Sequence, residues 1–103
     1  YKNAVVNAKA TDTVFLNQES RPALRALRTE RTAALAPMGS INVGEHMANL
    51  MDVYFGGDME AAIPLGGQVA GRIDSIKTAQ QVVDDTMSEF YGIMAALASR
   101  YTA

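Results

Sequence analysis

The chain has 103 residues, 49% of them apolar, no cysteine, and a formal net charge of −2. The length suits one small domain, and the apolar share excludes a disordered chain. The missing cysteines exclude disulfides and thiolate metal sites, and the acidic balance argues against nucleic acid as a partner. Residues 1–9 read as the end of a helix, with Tyr1, Val5 and Ala8 on one face. Thr13-Val14-Phe15-Leu16 is a short β-prone run between Asp12 and Asn17. Pro22, with Ser20 nearby as a cap, predicts a helix running to about Leu35 and stopping before Pro37 and Gly39. A loop fills 36–42. A third helix is predicted over 44–55, where Val43, Met47, Leu50, Met51 and Tyr54 form a stripe and Gly56-Gly57 ends it. Met59–Ala62 adds at most one turn before Pro64. The last helix is predicted over 79–101. Thr78 and Gln81 give it a capping box, and Val83, Met87, Phe90, Met94, Leu97 and Tyr101 give it an apolar ridge. The prediction is a mostly α chain. Its stripes would either make a bundle or cover a core supplied from elsewhere.

Two further features shape the expectations. No apolar run approaches the roughly 20 residues that cross a bilayer, so no membrane partner and a cytoplasmic location are expected. The first residue is Tyr1, read as a cut inside a longer protein, which favours the covering-layer option.

The segment Ile63-Pro64-Leu65-Gly66-Gly67-Gln68-Val69-Ala70-Gly71-Arg72 places three glycines around one glutamine. Glycine in a helix costs roughly 1 kcal/mol against alanine, so this pattern signals close approach by a ligand or by another part of the protein. It matches neither the phosphate loop nor the dinucleotide fingerprint. Spacing alone favours packing, with Gly67 and Gly71 on one face. His46, the single histidine, has Asn49 and Leu50 as helical neighbours and no metal-ligating partner. Adjacent Asp84 and Asp85 diverge by about 100° on a helix and do not converge on one atom. Asp58 and Glu60 are the other carboxylate pair. Arg21, Arg25, Arg28 and Arg31 would form a stripe if helical, suited either to anions or, more plainly, to a solvated face.

Several segments taken in order carry a resemblance. They are Asp12-Thr13-Val14-Phe15-Leu16, Arg21-Pro22-Ala23-Leu24-Arg25-Ala26-Leu27-Arg28-Thr29, Gly57-Asp58-Met59-Glu60 and Gly67-Gln68-Val69-Ala70-Gly71-Arg72-Ile73. This series resembles the C-terminal portion of the nitronate monooxygenase family, the 2-nitropropane dioxygenase-like flavoproteins. Related FMN-dependent enoyl reductases carry a similar glycine–glutamine segment. The resemblance covers nearly the whole chain, least diagnostically between Ala36 and Asp52. It implies that the parent is an FMN-binding (β/α)8 TIM barrel, of which residues 1–103 are the helical tail after the last barrel strand, packed on the missing barrel. It also implies oxidation of alkyl nitronates with dioxygen, or use of NAD(P)H. No catalytic residue falls in this segment, and His46 does not take the family's catalytic position. Gly67 and Gln68 are the candidates for contact with FMN.

Two readings compete with an enzyme segment: a self-standing helical interaction module, and an anion-binding module built on the arginines.

Overall fold

The structure, a computed structural model, describes residues 1–102. Five α-helices and a two-stranded antiparallel sheet follow the order α1 (Lys2–Asn7), β1 (Thr13–Leu16), β2 (Leu24–Leu27), α2 (Glu30–Leu35), α3 (Val43–His46), α4 (Leu50–Tyr54), a short 3-10 helix (Gln68–Arg72) and α5 (Ala79–Tyr101). The mostly α expectation holds, with a sheet at its centre.

The helix expected from Pro22 to Leu35 is corrected. Pro22 lies in the turn after β1, and Leu24–Leu27 form β2, paired Thr13 to Leu27 and Leu16 to Leu24. Leucine, arginine and alanine favour helix, but a partner strand with buried Val14 and Leu16 outweighs a weak local preference. Residues 64–66 add a further rung. The Leu27 amide donates to the Pro64 carbonyl at 2.9 Å and the Gly66 amide to that of Arg25 at 3.2 Å.

Helix α2 starts at Thr29, and its first turn is fully satisfied. Thr29 and Thr32 exchange a reciprocal capping box, at 3.1 Å and 2.8 Å. The Glu60 carboxylate takes the amides of Glu30 and Arg31 at 3.0 Å and 2.9 Å. All four amides that a helix start orphans therefore have partners.

The third helix expected over 44–55 is divided into α3 and α4. In an unbroken helix the His46 carbonyl would accept from Leu50. Instead it accepts from the Ile63 amide at 3.2 Å, while the Leu50 amide closes onto Met47 at 3.3 Å. The loop that carries Ile63 thus breaks the ladder.

Val14, Leu16, Ala26, Leu35 and Ile63 form the core, with Leu24, Ile41, Met47 and Leu65 packed around it. Helix α5 lies apart. Its bounds match the expected 79–101, and the Thr78–Gln81 capping box is made in both directions. Every residue of it is exposed, including Phe90 at 51% and Met94 at 51%. A compact chain of this length has a radius of gyration of about 13 Å; here it is 17.8 Å, with a longest extent of 56 Å. The excess belongs to α5, which at 23 residues is about 35 Å long. No helix among the described residues is long and apolar enough to cross a membrane.

Candidate functional site

The glycine-rich segment leaves the core at Pro64 and crosses the edge of β2. Tyr1 fixes this crossing: its hydroxyl donates to the Leu65 carbonyl, and its ring meets Tyr54 edge-on at 4.6 Å between centroids. Burial, and then the Tyr54 phenol beside it, push the Tyr1 pKa up. A Cβ on Gly66 would sit 3.2 Å from the Leu27 side chain, so this glycine packs against the strand. Gly67 is extended and caps the 3-10 helix, whose first turn closes from the Ala70 amide to the Gly67 carbonyl at 3.0 Å.

The two glycines that flank Gln68-Val69-Ala70 behave oppositely. A Cβ on Gly71 would stand 2.3 Å from the Ala10 nitrogen and 2.9 Å from its Cα. Both are main-chain atoms, so the fit depends on hydrogen in place of a methyl group. A Cβ on Gly67 would meet nothing within 4 Å. Packing on a shared face, the arrangement spacing favoured for Gly67 and Gly71, is therefore corrected: only Gly71 packs within this chain. Gly67, Gln68 and Val69 form an exposed edge, and Ala70 behind them is buried at 3% exposure. The edge has an uncrowded backbone and one side-chain amide that both donates and accepts. These properties suit close approach by a ligand or by another part of the protein. Neither Gly67 nor Gln68 lines the cavities of about 300–330 Å³ found near Ala4 and Glu60, near Tyr1 and Lys77 and near Arg72 and Val82.

The other candidates, Arg21 apart, have structural partners. The arginine stripe is corrected because β2 interrupts it. Arg25 lies over the Phe15 ring at 5.5 Å and donates to the Thr13 hydroxyl at 3.1 Å. Arg28 donates to the Thr11 carbonyl at 3.3 Å. Arg31 donates through Nε to the Glu60 carbonyl at 2.7 Å, and its Nη1 lies 3.3 Å from His46 Nδ1. Since guanidinium has no acceptor, this contact is a hydrogen bond only with Nδ1 accepting. Glu60 caps α2, and Asp58 takes the Glu60 amide at 3.0 Å. Asp84 accepts from Gln80 at 2.8 Å and Asp85 pairs with Lys77 at 2.7 Å, all on exposed surface. Among the described residues no group of three or more His, Cys, Asp or Glu could hold a metal ion. The capping role of Glu60 escaped sequence reasoning, because its partners lie 29 and 30 residues away. Thr29, with Thr32 three positions later, was a readable signal for the start of α2.

Two solved structures share the arrangement of this chain over nearly its whole length. FabK from Thermotoga maritima matches it with a TM-score of 0.80 and 29% identity, over 97% of this chain and 33% of that one. A point mutant of the same protein matches with a TM-score of 0.76 and 28% identity, over 97% of this chain and 31% of that one. The chain thus spans about a third of the length of the structures it resembles. No protein-family model and no curated protein matches it.

Proposed function

We propose that this chain is the C-terminal segment of an FMN-dependent oxidoreductase whose catalytic body is a (β/α)8 barrel. The observation that carries this reading is the match of 97% of the chain to one third of FabK. The ordered motifs shared with nitronate monooxygenase-like flavoproteins support it. Bound FMN would supply the two-electron chemistry. The chain's own part is to close one side of the pocket with Gly67 and Gln68, to exclude water there, and to lay the apolar ridge of α5 on the barrel. The substrate is a small molecule, an alkyl nitronate or a similar compound, with dioxygen or NAD(P)H as the electron partner. A self-standing helical module accounts less well for a long apolar ridge with no buried residue.

The test is purification of the full-length protein that carries this chain. The expected product contains stoichiometric FMN and turns over in one of two assays: oxygen uptake with an alkyl nitronate, or NAD(P)H oxidation. A flavin-free product that does not take up added FMN would overturn the proposal.

A further inference from the structure

We propose that Gly71 is a positioning residue for the Gly67–Gln68 edge, a claim that rests on the flavin-facing reading above. The 3-10 helix Gln68–Arg72 is held from behind at two points. Ala70 is buried at 3% exposure, and the Gly71 backbone lies against the main chain of Lys9 and Ala10 with no side chain between them. Backbone against backbone leaves nothing that can rotate away. An alanine at 71 would have to raise its closest contact from 2.3 Å to the 3.4 Å of ordinary packing, a displacement of about 1.1 Å. Gln68 sits in the same short helix, so a shift of the turn moves its amide by a comparable distance. Displacements of about 1 Å at a reacting centre can cost about a hundredfold in rate. Gly67, at the other end, has room for a methyl group within this chain. Its replacement by alanine is therefore silent unless something outside the chain lies against it.

The two glycines give a paired experiment on the full-length holoprotein, read by the absorption spectrum of bound FMN, FMN affinity, kcat, KM and thermal midpoint. Gly67→Ala tests the flavin-facing reading: an altered flavin spectrum at an unchanged thermal midpoint supports it. Gly71→Ala tests positioning: it should perturb the same flavin bands, weaken FMN binding about tenfold and lower kcat more than it raises KM. If Gly67→Ala perturbs the flavin while Gly71→Ala lowers only the thermal midpoint, positioning is overturned and the flavin-facing reading survives. If Gly67→Ala leaves the flavin untouched, the flavin-facing reading fails and the positioning claim falls with it. Should Gly71→Ala not fold, Ala10→Gly leaves every atom of the contact in place but gives the main chain that backs the turn more conformational freedom. It is expected to shift the flavin bands in the same direction, more weakly, and a wild-type spectrum and affinity would refute positioning.

Discussion

Asn17 shows how one side chain can hold two loops. It is 1% exposed and adopts a left-handed backbone with φ of 57°. Its amide donates to the Pro22 carbonyl at 2.8 Å and its oxygen accepts from the Ile41 amide at 2.9 Å. Asparagine tolerates this backbone better than other residues with a Cβ. Asn17→Ala removes both bonds, leaves the exposed Pro22 carbonyl and the half-buried Ile41 amide to find water, and is expected to cost about 1–2 kcal/mol in a urea titration of the full-length protein. A loss below about 0.5 kcal/mol would show that water replaces the side chain. In the sequence Asn17 was legible only as the boundary of a strand, because its partner at Ile41 is 24 residues away. The glycine–glutamine segment was legible as a place of close approach. Which glycine is approached by this chain, and which faces outward, depends on Ala10, and no local pattern encodes that.

At the scale of elements, local signals succeeded where a segment folds on its own terms. The Thr78–Gln81 box and the ridge of α5 fixed that helix without tertiary help. They failed where distant backbone intervenes: Leu24–Leu27 became a strand through β1, and the His46 carbonyl was drawn off by Ile63. Helix α2 lies between these cases, since Thr29 marks its start locally and Glu60 completes it from afar. Thr29→Ala is expected to cost about 1 kcal/mol. It should speed amide exchange at Thr32 more than at Glu30 and Arg31, whose amides Glu60 still holds. Equal acceleration at all three would mean that the Glu60 cap depends on Thr29.

For the molecule as a whole, the telling feature is the uncovered ridge of α5. Residues 90–99 carry no charge, and a helix apolar over so much of its circumference belongs inside a larger body. If the barrel covers it, Phe90→Asp should destabilise the full-length protein by about 3 kcal/mol or more, while Glu89→Gln changes it by less than about 0.5 kcal/mol. Thermal or chemical denaturation distinguishes the cases, and a negligible effect of Phe90→Asp would leave α5 outside the folded body.

The bare main-chain contact between Gly71 and Ala10 has a consequence for how sequence length tolerates change. Residues 8–12 look like a link in which an inserted or deleted residue would pass unnoticed. Because Ala10 backs the turn that carries Gln68, a length change there would be transmitted to a position 58 residues downstream, and the connection is dimensionally fixed despite its loop-like composition.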